Sequence, residues 1–161
     1  MMPVLILTGG RVIDPANNID LVTDVILANG RVAQVGAASS AQLEGAAVYK
    51  ADGCIVCPGL IDPHVHLREP GQEDKETIAT GAAAAVNGGF TSICCMPNTD
   101  PALDDDGRIE FVYTQSQRAG QANIFPVGAI TKGRAGKELA EIGLMAQAGA
   151  VGFSDDGCAV A

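Results

Sequence analysis

Both histidines of this 161-residue chain stand one residue apart, in Asp62-Pro63-His64-Val65-His66-Leu67-Arg68-Glu69-Pro70-Gly71. Neutral imidazole is the commonest metal ligand among side chains. Residues i and i+2 of an extended strand project to the same side. His64 and His66 can therefore close on one cation, with bonds of about 2.0–2.1 Å if it is zinc. Two histidines on a surface loop, or a hydrogen-bonded structural pair, would read the same by spacing alone. The neighbours favour the metal: Asp62 can support an imidazole through its second nitrogen, and Arg68 and Glu69 bring further polar groups to the same place. Two later stretches carry similar chemistry. Met96-Pro97-Asn98-Thr99 is a polar exit from an apolar run, and Ser154-Asp155-Asp156-Gly157 offers an aspartate that could cap a loop or complete a ligand set.

The elements that position these groups follow from the pattern. Residues 3–57 contain short β-rich runs: Val4–Leu7, Arg11–Ile13, Asp24–Ala28, Arg31–Val35, Ala47–Lys50 and Cys54–Cys57. Gly9-Gly10, Pro15-Ala16-Asn17-Asn18, Asn29-Gly30 and Asp52-Gly53 separate them as turns, and Asn29-Gly30 is a strong two-residue hairpin signal. This part is expected to be a small antiparallel β unit. Beyond it the rhythm becomes strand Leu60–Val65, helix within Glu73–Asn87, strand Phe90–Cys95, helix Asp104–Ala119, strand Asn123–Ala129, helix Gly136–Ala148 and strand Ala150–Ser154. Such alternation implies parallel strands with helical crossovers. Four of them fit a small open sheet or the first half of an eight-stranded barrel. The β unit in front, and the histidine pair at the end of the first strand where α/β folds place reactive groups, favour the barrel. The expected domains are 1–57 and 58–161.

Composition excludes several classes. Apolar residues make up 47 %, so disorder is not expected, and with no Trp the core must rest on aliphatic residues. Net charge is −9, from 10 basic and 19 acidic residues, with no basic stripe for nucleic acid. An anionic substrate would have to be drawn in by local groups against the overall field. The apolar start Met1–Leu7 lacks a basic leader region, and no apolar run approaches the roughly 18 residues of a membrane span, so a soluble cytoplasmic protein is expected. Five cysteines, an odd number, argue against a disulfide framework. Cys54-Ile55-Val56-Cys57 matches C-x-x-C but lacks a second ligand pair, and its cysteines are expected to be small buried apolar residues.

Taken in order, Pro58-Gly59-Leu60-Ile61-Asp62-x-His64-Val65-His66-Leu67-Arg68-Glu69-Pro70-Gly71, Glu76-Thr77, Met96-Pro97-Asn98-Thr99 and Phe153-Ser154-Asp155-Asp156-Gly157 resemble the dihydroorotases of the amidohydrolase superfamily. P-G-x-I-D-x-H-x-H is shared across that superfamily, whereas H-x-H-L-R-E-P-G with M-P-N-T is far more specific. The resemblance spans essentially the whole chain. It implies an α/β fold: a (β/α)8 TIM barrel with a β-sandwich built from both chain ends, of which this chain would be the N-terminal portion, a β-sandwich segment and about four βα units. It implies zinc-dependent, reversible cyclisation of N-carbamoyl-L-aspartate to dihydroorotate in pyrimidine synthesis, with one or two Zn2+ ions. His64, His66 and, by motif position, Asp156 would be ligands, Asp156 standing where related enzymes carry a carboxylated lysine. No lysine follows Lys137, which favours this branch over hydantoinases and many allantoinases. Arg68 and Asn98 would bind the substrate carboxylate. The proton-shuttling aspartate and further histidine ligands of the family are expected beyond Ala161, so the 161-residue chain alone is expected to be inactive. An allantoinase-like cyclic amidohydrolase and a non-catalytic subunit scaffolding aspartate transcarbamoylase are the alternatives. The resemblance leaves open a homodimer and association with aspartate transcarbamoylase.

Overall fold

The structure, a computed structural model, describes residues 4–160. The opening Met1-Met2-Pro3 and Ala161 lie outside the described residues. The chain divides into two compact units, Met1–Pro58 and Gly59–Ala161.

The first unit is one five-stranded sheet: β1 (Leu5–Asp14), β2 (Ile19–Ala28), β3 (Arg31–Val35), β4 (Ala47–Lys50) and β5 (Ile55–Val56), with a short helix α1 (Ser40–Leu43). Its order is β3-β2-β1-β4, and β5 also pairs with β1. The sheet is mixed rather than antiparallel. β2 runs antiparallel to β1 and β3, but β4 and β5 run parallel to β1. At Asn29-Gly30 both residues have positive φ, 52° and 73°, the geometry that a tight two-residue hairpin between β2 and β3 requires.

Gly9-Gly10, expected as a turn, lies inside β1. The register against β2 shifts between Leu7 and Gly10, as at a β-bulge. Gly9 has φ 73°, its N–H donates to Asp24 Oδ1 at 3.0 Å, and a Cβ on Gly10 would stand 2.6 Å from a Val56 methyl. The glycines thus permit a bulge and a close strand approach without ending the strand. Cys54 and Cys57 are exposed, correcting the expectation that they are buried. β5 is only two residues long and leaves both outside it.

The second unit is a four-stranded parallel sheet, β6 (Leu60–Val65), β7 (Phe90–Cys95), β8 (Asn123–Gly128) and β9 (Gly152–Phe153), in that order. Helices α2 (Ile78–Asn87), α3 (Asp106–Ala119) and α4 (Ile142–Gln147) connect consecutive strands. Ile78 and Ala82 of α2, Ile93 and Cys95 of β7, Ile109 and Val112 of α3, Ile124 of β8 and Met145 of α4 form the core. The i, i+3 and i, i+4 spacing places each helical pair on one face, and each large aliphatic residue fully buried contributes roughly 1.5–3 kcal/mol.

The helices start later than the sequence suggests. Thr77 and Thr80 make a reciprocal capping box, so α2 begins at Ile78, and Glu73–Thr77 remain outside it. α3 is capped by the Asp105 side chain. α4 begins at Ile142 rather than Gly136 because Gly136 has φ 70° and Thr131 pairs with Leu139 in an isolated antiparallel bridge. Among the described residues no helix is long and apolar enough to cross a membrane.

Candidate metal centre

In a parallel sheet the carboxyl ends of all strands open on one side, which gathers the loops after β6, β7 and β9. Within β6, Pro63 has no N–H to donate, and the pairing with β7 shifts between Asp62 and Val65. The Asp62 carboxylate accepts the His64 amide at 3.0 Å. Asp62 therefore holds the backbone under the histidines instead of an imidazole ring, as the sequence had suggested. The two rings project together, with centroids 5.2 Å apart and planes 72° to one another.

Asp156 meets them from the far end of the sheet. Its Oδ1 lies 3.2 Å from His64 Nε2, and its Oδ2 lies 3.8 Å from His66 Nδ1. One donor atom from each of His64, His66 and Asp156 falls within 4.8 Å of the other two. Two imidazoles and a carboxylate are a donor set suited to a divalent cation of borderline softness. The His64 side chain is 56 % exposed, that of His66 33 % and that of Asp156 15 %, so an ion here would be reachable from solvent on the His64 side.

Asn98 joins the cluster in a way that its expected substrate role did not reveal. Its Oδ1 stands 2.9 Å from His66 Nδ1, and its Nδ2 donates to Asp156 Oδ2 at 2.7 Å. An amide oxygen can only accept, so it calls for the proton on Nδ1 and leaves Nε2 of His66 with a free lone pair. Such fixing of the ring through its other nitrogen is usual around metal ligands.

The adjacent aspartates have separate roles. Asp155 is 3 % exposed, and its carboxylate is taken up by the loop after β8. Its Oδ1 accepts the amides of Ile130 (2.8 Å) and Thr131 (3.0 Å), and its Oδ2 accepts the Thr131 hydroxyl. Burial pushes its carboxyl up. The Thr131 hydroxyl, the two amides and the Arg134 charge outweigh that and hold it below the usual aspartate range. No signal in the sequence pointed to Thr131 or Arg134, because their contacts to this loop span more than twenty residues of chain.

Arg68 lies in the loop after β6, half-buried, with left-handed backbone at φ 60°. It takes no part in the hydrogen bonds that tie the cluster together. Its loop is pinned from two directions: Glu69 Oε2 accepts the Ile78 amide at 2.7 Å, and the Asp100 amide donates to the Pro70 carbonyl at 3.0 Å. Gly71 sits where φ is 92° and a Cβ would fall 1.7 Å from the Asp100 carbonyl oxygen, so the two loops meet only through glycine.

Comparison with known proteins accounts for this combination of motif and geometry. The dihydro-orotase-like family pattern matches residues 53–161. A dihydroorotase of Solibacter usitatus is 54 % identical over 159 residues, covering 99 % of this chain and 36 % of that protein. A dihydroorotase of Syntrophotalea carbinolica is 50 % identical over 153 residues, covering 95 % of this chain and again 36 % of the relative. The chain thus spans about a third of the length of the curated relatives it matches. Among solved structures, the L-hydantoinase of Arthrobacter aurescens superposes with a TM-score of 0.70 at 26 % identity, over 95 % of this chain and 32 % of its own. An A. niger ochratoxinase, at 16 % identity and a TM-score of 0.61, shares the fold. A histidine pair closed by a carboxylate at the carboxyl end of a parallel sheet, and a family pattern covering residues 53–161, place this chain in the dihydro-orotase-like family.

Proposed function

We propose that this chain carries part of the active site of a dihydroorotase, a zinc-dependent enzyme that reversibly cyclises N-carbamoyl-L-aspartate to dihydroorotate on a (β/α)8 barrel. The observation that supports this most is the convergence of His64, His66 and Asp156, in a chain about half identical to dihydroorotases. When bound, zinc supplies a Lewis acid for the carbonyl and lowers the pKa of a water from 15.7 to about 7.

The chain's own residues supply the binding groups. His64, His66 and Asp156 would hold the ion. Arg68, not engaged with the cluster, offers a planar fork for the substrate carboxylate, and charge-assisted bidentate bonds of this kind are the strong ones. That local cation answers the net charge of −9, which would otherwise repel an anion. Asn98 can serve both ends of the site: one of its two amide hydrogens goes to Asp156 and the second remains for the substrate. Arg68 with Asn98 favours a substrate bearing a carboxylate over allantoin, and the intact ligand trio favours catalysis over a purely scaffolding role. Both histidines of these 161 residues are taken up as ligands, leaving no third imidazole, so the chain alone is expected to hold zinc weakly and turn over negligibly.

The test is turnover by the full-length protein on dihydroorotate, allantoin and hydantoin. We expect dihydroorotate to be strongly preferred, and His66→Ala or Asp156→Ala to lower kcat by at least about 100-fold. Preference for allantoin or hydantoin, or an Asp156→Ala variant of undiminished activity, would refute the proposal.

A further inference from the structure

The loop that presents Asp156 is held by a residue outside the ligand set. Arg134 reaches across from the β8–α4 connection. Its Nε donates to the Asp155 carbonyl at 3.2 Å, and its Nη2 donates to the Asp156 carbonyl and lies 3.4 Å from Cys158 Sγ. The guanidinium therefore spans two successive carbonyls, one of them belonging to the residue whose side chain faces the histidines.

The brace is reciprocal. Asp155 sends its carboxylate back to the amides of Ile130 and Thr131, while Arg134 sends its guanidinium forward to the backbone of 155 and 156. The Arg134 end is itself fixed. Gly133 and Arg134 both adopt left-handed backbone, at φ 58° and 57°. The Gly133 amide donates to Asp104 Oδ2 at 2.7 Å, the Arg134 amide to the Thr131 carbonyl at 2.9 Å, and the Gly136 amide to Thr131 Oγ1 at 2.9 Å. Non-glycine residues adopt positive φ at a cost, so a tertiary contact must keep Arg134 there. The carbonyl clamp is such a contact.

We propose that Arg134 is a positioning residue for the metal centre: through the Asp155 and Asp156 carbonyls it sets where the Asp156 carboxylate stands relative to His64 and His66. A fork of fixed donors suits this better than a lysine, which has a single flexible ammonium. The inference rests on the metal reading of His64, His66 and Asp156 and adds a residue that touches neither ion nor substrate.

The experiment measures zinc affinity by chelator competition, and the visible spectrum of the cobalt-substituted protein, for the full-length protein and four variants of it. Removing a group that orients a ligand typically costs about 10- to 100-fold in metal affinity, and that loss is expected for Arg134→Ala. Arg134→Lys should fall between it and the parent, and added guanidinium should recover part of the affinity of Arg134→Ala. Lys132→Ala, on the same turn but in an exposed pair with Glu138, should bind as the parent does. Rescue by guanidinium, together with a cobalt spectrum that guanidinium restores, is a readout that a loosened fold would not give. If Asp156→Ala loses zinc while Arg134→Ala keeps parental affinity and spectrum, this inference fails and the metal centre stands. If Asp156→Ala binds zinc as the parent does, the metal centre fails and takes the inference with it.

Discussion

Asp155 and Asp156 are chemically identical neighbours, and three-dimensional context alone divides their work. Asp155 serves three donors in a buried cradle; Asp156 faces two imidazoles and the Asn98 amide. Asp155→Ala would strand the amides of Ile130 and Thr131 and the Thr131 hydroxyl. Buried donors left without an acceptor cost about 1–3 kcal/mol each, partly relieved where water enters. We therefore expect Asp155→Ala to destabilise by roughly 3 kcal/mol, read as a lower urea midpoint. Asp156→Ala should shift the midpoint little while abolishing metal retention. Equal midpoints for the two variants would mean that Asp155 has no structural role. At this scale the sequence disclosed the histidine pair by its spacing, because i, i+2 geometry is local. It could not show that Asp155 is spoken for, since its partners lie 24 and 25 residues earlier in the chain. For the same reason Asn98 was legible as a polar residue at a strand end but not as the bridge between His66 and Asp156.

Strand β7 shows what burial does to a titratable element. Cys95 is 3 % exposed among the core aliphatics. Burial, helped by neighbouring Cys94 and only partly offset by backbone hydrogen bonds, pushes its thiol up to about 12. An unfolded cysteine titrates near 8.5. Between these values the folded state keeps a proton that the unfolded state releases. The contribution is therefore fully present below about pH 8.5 and is lost as pH rises toward 12. Urea midpoints should fall between about pH 8 and about pH 10 in the parent, and the fall should be smaller in Cys95→Ala. Identical pH slopes in the two proteins would rule this out. Thiol labelling offers a companion check, since Cys54, Cys57 and Cys158 are exposed and should react well before Cys95. Strands Leu60–Val65, Phe90–Cys95 and Ala47–Lys50 coincide with their expected bounds; for the last two, Gly88-Gly89 before Phe90 and Asp52-Gly53 after Lys50 are local turn signals. Elements that depend on a distant partner depart from the local pattern. The Gly9-Gly10 bulge needs β2 and Asp24 to be recognised, and α4 is shortened by a bridge between Thr131 and Leu139.

At the scale of the molecule, alternating strand and helix signals were enough to anticipate a parallel sheet, since crossover connections leave few other topologies. The parallel pairing of β4 and β5 with β1 was not legible, because short strands joined by turns carry no sign of their direction. The faces that the two units leave to solvent have a physical consequence. In the second unit Ile61 is 68 % and Leu60 48 % exposed on β6, an edge strand of its sheet. In the first, Val32 and Ile55 are more than 60 % exposed, on β3, which ends the sheet, and on β5, which pairs only with β1. Apolar side chains on an unpaired edge favour association between chains. Opposing this is the charge of −9, whose repulsion reaches about 30 Å at 0.01 M salt and only about 3 Å at 1 M. The 161-residue chain should therefore sediment as a monomer at low ionic strength and as larger species at high ionic strength. Ile61→Lys should weaken that association by placing a charge on the edge. A monomer at both salt extremes, or an Ile61→Lys variant that associates as readily as the parent, would show that these exposed side chains do not govern how the chain behaves in solution.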